Sequence, residues 1–370
     1  MSKSIHRRFS AVSFLFWICF VVCFSLPFVR SSIKPLDGYF QISSFPPLKF
    51  SEIVKGSFQD QFEQAFNDHL PGRSGLIRWK NTIDFFIFNK VNAHVELGLN
   101  GNLFEPEYLE AYSGVDLTPL DTISSRAQGI KRFSRSLEEN GKSLLVVMAP
   151  SKTSFFKRDI PKKYPPSKVT NASRWKEELI RNSIPFLDLS DLLKKVSDTV
   201  IYPIFPIEGI HWTEFANILA LDTLLGKLRD LNSRVDVDLK VRSIEGRKVP
   251  DPSEQDLGRA LNLLEIPQTD TLFGDVKFDI AYNDSTQRPG ILFVGDSFIW
   301  QWYGKGYFNH AFEPTWFFYY NQEAYLFGSG MQKGSTNSLL ENVLEDVDVV
   351  VLMATEANFR DFPWGFEEIH

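Results

Sequence analysis

Cysteine is nearly missing from this chain of 370 residues. There are two, Cys19 and Cys23, and both lie in an apolar run near the N-terminus. The rest of the chain therefore has neither a disulfide framework nor a thiolate metal site. A basic excess is missing as well. Forty Lys and Arg stand against 46 Asp and Glu, and the net charge of -6 excludes a general attraction to nucleic acid or to an anionic surface. Histidine is scarce, with six residues, two of them close to the chain ends. No internal repeat and no low-complexity block is visible. What is abundant is apolar and aromatic material: 43% hydrophobic residues, with 34 Phe and 8 Trp. That suffices for a substantial core in one large domain or two smaller ones. Two readings of the aromatics stand side by side: core packing, or a groove of Trp and Tyr that stacks on sugar rings.

The N-terminal run is the longest apolar feature. Lys3, Arg7 and Arg8 precede an uncharged stretch of 21 residues, Phe9 to Val29. About 20 apolar residues cross a bilayer as a helix, and a basic flank stays on the cytoplasmic side. A cleaved signal peptide is the rival reading, but its apolar core is shorter and ends in small residues. Here the run ends "LPFVRSS". The expectation is an uncleaved anchor over 1–30, followed by a Pro-, Ser- and Gly-containing tether over 31–57. Under either reading the main body, 58–370, lies outside the cytoplasm, in the periplasm or at the cell exterior.

Along that body, helical apolar spacing runs from Phe58 to Asn89. "GLNGNLF" (98–104) reads as a hairpin turning on Asn100-Gly101. Residues 121–140 form an amphipathic helix that stops at Gly141. "SLLVVMAP" (143–150), "IPFLDLSDLL" (184–193), "ILFVG" (291–295) and "DVDVVVLMAT" (346–355) each contain a short apolar run with turn signals around it. Such runs read as buried strands. Thr213 is the expected N-cap of a helix that continues to Leu231. Strands alternating with helices imply an α/β protein built on a parallel sheet flanked by helices. Residues 232–290 are less regular, include the turn-rich "EGRKVPDPSEQD", and read as an insertion.

One serine stands out. In "ILFVGDSFIW" (291–300), Ser297 follows a buried strand at a turn, on the carboxyl edge where open α/β sheets place ligands. A serine hydroxyl is a weak nucleophile until a base takes its proton, and the base needs an orienting partner. His69, His94 and His310 have no supporting context. His211, in "EGIHWTEF", sits just before a helix start and is free to point over a sheet edge. Asp296 precedes Ser297 and suits a cap or turn role, accepting backbone N–H bonds.

"GDSF" (295–298) resembles the first block of the SGNH hydrolases. In the usual chain order the His follows the Ser; here His211 precedes it, which resembles the permuted AlgJ/AlgX-type family of alginate O-acetyltransferase proteins. Further segments are similar to that family in the same order: "FEQAFNDHLPGRSGLIRWKN" (62–81), "LGLNGNLF" (97–104), "GKSLLVVMAPSKTSFFKRDIP" (141–161) and "HWTEFANILALDTLL" (211–225). The resemblance implies Ser297 as nucleophile, His211 as general base, and an acid two residues before the His. Gly209 occupies that place, with Glu208 one step further back. Glu208 is therefore the expected partner of His211, with Asp188 or Asp191 as substitutes. Asp296, Lys152, Asn321 and Glu356 are the weaker candidates for oxyanion or substrate contacts.

The function so implied is O-acyl transfer, acetate in the first instance, onto an exported polysaccharide. A membrane-bound O-acyltransferase would supply the acyl group, and no metal or other cofactor is needed. Two alternatives remain open. One is a carbohydrate acyl esterase. The other is a non-catalytic binding or scaffold subunit of an export complex, favoured by the missing D-x-H acid.

Overall fold

Runs of aliphatic and β-branched residues become strands here because their side chains pack well on a pleated surface. The computed structural model describes residues 14–18, 20–21, 35–38, 42–70, 72–267, 269–282 and 288–368. The anchor expected over the N-terminal apolar run lies largely outside them. Among the described residues no helix is long and apolar enough to cross a membrane.

The described residues divide into two compact units, those within 1–93 and 258–267, and those within 94–257 and 268–370. The division falls inside the span 58–370 that reads as one domain in sequence. The first unit contains helices α1 (Phe50–Lys55), α2 (Ser57–His69) and α3 (Arg73–Phe88). Within it, the Asn81 side chain donates to the carbonyl of Leu261 (2.9 Å) and Arg78 donates to Asn262 Oδ1 (3.2 Å). Those bonds tie 258–267 to α3.

The second unit opens with the expected hairpin. β1 (Glu96–Leu97) pairs antiparallel with β2 (Leu103–Phe104). Asn100 and Gly101 at its tip take φ of 55° and 78°, a region that Asn and Gly enter at least cost. Further strands are β3 (Ser143–Ala149), β4 (Phe186–Asp188), β5 (Val237–Arg247), β6 (Phe273–Tyr282), β7 (Ile291–Gly295), β8 (Thr315–Tyr319), β9 (Glu323–Leu326), β10 (Gly330–Met331) and β11 (Val349–Thr355). Its helices are α4 (Pro106–Ser113), α5 (Leu120–Glu139), α6 (Asn171–Arg181), α7 (Ser190–Ser197), α8 (Glu214–Leu231), α10 (Trp300–Tyr303) and α11 (Thr336–Asp346). A short α9 spans Asp256–Ala260.

Among the described residues the main sheet has seven strands in the order β10-β9-β8-β7-β11-β3-β4. From β8 to β4 the pairing is parallel throughout. β9 and β10 are antiparallel, so the wholly parallel sheet expected from sequence is corrected to a mixed one. The reason is local. Only residues 320–322 join β8 to β9, whereas a parallel crossover needs a dozen residues or more.

Both faces of the parallel part are covered. Leu144, Val146 and Met148 of β3, Leu292 and Val294 of β7, and Val350 and Leu352 of β11 join one buried cluster. Its other members include Ile130 and Phe133 of α5, Leu179 of α6 and Leu340 of α11. The alternate residues Leu145, Val147, Phe293 and Val351 are equally buried. That explains why these strands read as unbroken apolar runs rather than as alternating ones. α8 buries Ala216, Ala220, Leu221, Leu224 and Leu228, and the antiparallel β5–β6 hairpin packs on it. The expected cap at Thr213 is present, its hydroxyl accepting from the Ala216 N–H at 3.4 Å.

Candidate active site

Ser297 is the first residue after the β7 turn, and Asp296 builds that turn. The Asp296 side chain is fully buried. Its Oδ1 accepts from the Phe298 N–H (3.1 Å), and its Oδ2 from the Thr355 N–H (2.7 Å), the Thr355 hydroxyl (2.8 Å) and Asn358 Nδ2 (2.8 Å). Four donors on one carboxylate lock the end of β7 to the end of β11. Burial pushes the carboxyl pKa up, and these hydrogen bonds act against that. Asp296 is thus a clamp under the serine and not a substrate contact.

His211 reaches the serine from the other side of the sequence. Its Nε2 lies 3.0 Å from Ser297 Oγ, and its Nδ1 lies 2.5 Å from Asp256 Oδ2. Asp256 Oδ1 meanwhile accepts from the backbone N–H groups of Ile210 (2.9 Å) and Leu257 (2.8 Å). The carboxylate so oriented fixes the tautomer with the proton on Nδ1 and leaves Nε2 to accept from the serine. Burial acts to lower the His211 pKa. The Asp256 hydrogen bond, and the charges of Asp256, Glu105 and Asp296, act to raise it, and the net shift is upward.

The partner of His211 is therefore Asp256, not Glu208. Glu208 accepts from Gln255 Nε2 at 2.7 Å, and its other oxygen is buried with no partner. Asp188 is taken by Lys176 (2.6 Å) and the Ser190 N–H (2.9 Å). Gly209 gives the physical reason. A Cβ at that position would stand 2.7 Å from the carbonyl oxygen of Glu254, so the turn carrying Asp256 fills the space where an acid at 209 would sit. Glu254 seats this turn on α8. Its carboxylate accepts from the Glu214 N–H (3.0 Å), the Asp251 N–H (2.7 Å) and Arg247 Nη2 (2.6 Å). Asp256 lies in the stretch "PDPSEQD", and the signal in sequence was a Pro-rich turn ending in an acid at a helix start.

The remaining weak candidates also lie elsewhere. Lys152 is fully buried and donates to the carbonyls of Leu103 (2.8 Å), Gly209 (3.1 Å) and Ile207. Desolvation brings its pKa down to about 7. It holds the loop that leads into His211. Glu356 accepts from Ser154 Oγ at 2.7 Å and from Ser151 Oγ, which ties β11 to the loop after β3. Asn321 belongs to the β8–β9 turn, where its Nδ2 donates to the Trp364 carbonyl at 3.2 Å. Trp302 is buried against Trp212 and Phe308, and Trp300 packs on Phe317 and Tyr325. Trp302 is therefore core, whereas Trp300 is partly buried.

A cavity of about 350 Å³ opens over Ser297. Tyr108, Tyr320 and Asn358 line it, as do His94 and the acids Glu105, Glu107, Glu110, Asp116 and Asp361. Of these, only His94 drew notice in the sequence, where it had no supporting context. Tyr320 has φ of 49°, costly for a bulky residue and typical of functional turns. Burial raises its pKa, so the hydroxyl remains an O–H donor. Burial, with the charge of Asp256 second, pushes the Glu105 carboxyl up to about 7. Among the described residues no group of three or more His, Cys, Asp or Glu is arranged to hold a metal ion.

A family model described as "SGNH hydrolase-like domain, acetyltransferase AlgX" matches residues 97–311, more than half of the chain, a span that includes His211, Asp256 and Ser297. No curated protein matches significantly. Among solved structures, the O-acetyltransferase domain of Pseudomonas putida AlgJ is 15% identical. It covers 73% of this chain and 93% of its own, with a TM-score of 0.46. Bacillus cereus PatB1 is 11% identical, with coverages of 72% and 97% and a TM-score of 0.44. Pseudomonas aeruginosa AlgX is 11% identical, with coverages of 73% and 67% and a TM-score of 0.44.

Proposed function

The chain belongs to the SGNH hydrolase-like family of acetyltransferase AlgX, and from that premise we propose that it is a serine-dependent O-acetyltransferase acting on an exported polysaccharide. The observation that carries the reading is the hydrogen-bonded chain from Ser297 through His211 to Asp256. Two neighbouring bonds of that kind are what an activated serine requires.

In the first half-reaction His211 Nε2 takes the Ser297 proton while Oγ attacks the acyl carbonyl. Asp256 stabilises the imidazolium that forms. The oxyanion needs donors about 3 Å from where its charge develops. Ser297 opens a 3-10 turn, so its backbone N–H has no partner within that turn. The Tyr320 hydroxyl, in the same cavity, is the second donor assigned here. His211 then protonates the leaving group. In the second half-reaction it takes a proton from the acceptor hydroxyl, which attacks the acyl-serine; the acyl–Oγ bond breaks and His211 returns the proton to Ser297 Oγ. The N-terminal apolar run supports a membrane-anchored protein with its catalytic unit in the periplasm or at the cell exterior. There a membrane-bound O-acyltransferase supplies the acetyl group. A short tether raises the local concentration of such partners to about the millimolar range.

The missing D-x-H acid was the reason to read the chain as a non-catalytic scaffold, and Asp256 removes that reason. The test is acetate release from 4-nitrophenyl acetate by the full chain, and the acetyl content of the exported polymer with and without it. Ser297→Ala and His211→Ala should each abolish both activities. Equal acetate release by wild type and both variants would overturn the proposal.

A further inference from the structure

We infer that the cavity over Ser297 takes its acceptor hydroxyl from a sugar without negative charge, uncharged or amine-bearing, and selects against uronate, sulfated or phosphorylated polymers. The inference rests on the acetyltransferase reading and adds the substrate class to it. A site built for a polyanion offers cations to its carboxylates. This cavity is lined by five acids, against His94 and Arg360; each cation faces an acid of the same wall, and the Arg360 charge also acts on Asp116. His94 Nε2 lies 2.6 Å from Glu107 Oε1, and Arg360 Nε lies 4.0 Å from Asp361 Oδ2.

Five acids against two cations leave three in excess, and Glu105, Glu110 and Asp116 are the acids without an ion pair. Among the described residues no hydrogen bond or ion pair engages the side chains of Glu105 and Glu110. Asp116 is met by a neutral donor, Asn171 Nδ2, at 3.2 Å. The nucleophile opens into this same cavity, so whatever is acylated there meets the acidic wall. Two unit charges about 8 Å apart, at an effective dielectric of about 40, shift an equilibrium about fivefold. Two or three uncompensated acids therefore amount to a discrimination of about 25- to 125-fold before screening by the same arithmetic. Screening weakens it as the Debye length contracts. Glu105 yields part of its charge near neutral pH, so Glu110 and Asp116 carry most of the effect.

The experiment uses the full chain with 4-nitrophenyl acetate as donor and three β-1,4-linked hexamers as acceptors: glucose, glucosamine and glucuronate. Acetyl transfer is read by mass spectrometry, and binding of the same hexamers by ligand-observed NMR. The glucuronate hexamer should be acetylated about tenfold less efficiently than the other two at about 50 mM salt, with the gap closing at about 500 mM. Glu110→Gln should narrow the gap about fivefold, and Glu110→Gln with Asp116→Asn should narrow it further. Glucuronate used as well as glucose, or a gap indifferent to salt and to both substitutions, would overturn the inference. If no hexamer is acetylated, the transferase reading is what fails. NMR then decides the charge preference by itself: weaker glucuronate binding upholds it, while equal, stronger or absent binding of all three hexamers overturns it.

Discussion

The floor of the site and its flank are built in opposite ways. The floor is the joined ends of β7 and β11, where Asp296 holds four donors from neighbouring strand ends and is fully buried. The flank is the turn 251–256, part of the segment between α8 and β7 that looks irregular in sequence. Its Asp256 side chain is 28% exposed and reaches one ring nitrogen and two backbone amides. Two aspartates near one serine thus do different work. The buried one keeps the strands in register under the nucleophile, and the half-exposed one tunes the base. Full burial with every lone pair engaged is the mark of a structural carboxylate. A carboxylate on the far nitrogen of an imidazole is the mark of a chemical one.

The largest effect is expected on the flank. In Asp256→Asn the new amide oxygen keeps the bonds from Ile210 and Leu257, while its NH₂ faces His211 Nδ1 and forces the wrong tautomer. Acetate release should fall by about four orders of magnitude, with the denaturation midpoint little changed. The pH profile gives an independent reading. His211 acts as a base only when neutral, and its pKa stands above the ordinary value of 6.5. Wild-type activity should therefore fall as pH drops through a value above 6.5. Any residual activity of Asp256→Asn should persist to lower pH, because the hydrogen bond and charge that raise the pKa are gone. An unshifted acid limb would take Asp256 out of the role assigned to it.

Asp296→Asn tests the floor. Its NH₂ cannot accept from Thr355 and Asn358, so buried donors lose their partner. Urea unfolding should show a loss of about 2–4 kcal/mol. A loss below about 0.5 kcal/mol, the range of an ordinary surface substitution, would contradict the clamp. The smallest effect belongs to Glu208→Gln. The glutamine can still accept from Gln255, and kcat/KM for ester cleavage should stay within about threefold of wild type, a change of under 1 kcal/mol. A hundredfold drop would return the orienting role to Glu208.

Much of the floor was legible in the residues. β3, β7 and β11 announce themselves as apolar runs because a parallel sheet buries both faces. Ser297 and Asp296 follow directly from where β7 ends, and Asp296 as a turn-holding acceptor needs only its neighbours. His211 could be singled out because a helix start at Thr213 lies two residues away. The errors lay where the partner is remote in sequence. Lys152 and Glu356 looked like cleft residues because each follows a strand, yet each turns inward. Lys152 meets the carbonyls of residues 103, 207 and 209, and Glu356 meets the hydroxyls of residues 151 and 154. A strand end specifies an edge of the sheet but not the rotamer that leaves it.

Local pattern alone thus determined β3, β4, β7, β11 and the first hairpin, and a serine and a histidine at turns, while the long β5 and β6 lay inside the stretch that reads as an irregular insertion. Those choices depend on burial periodicity and on caps only a few residues wide. The acid came 45 residues after the histidine, across a turn whose irregular composition carries no period to read. Only the packing of that turn against Gly209 and the start of α8 decided that Asp256 completes the triad. The same is true of the acidic wall above Ser297, assembled from α4, the loop after it and the segment beyond β11. Charges that far apart in the chain acquire a common field only when the fold brings them around one cavity.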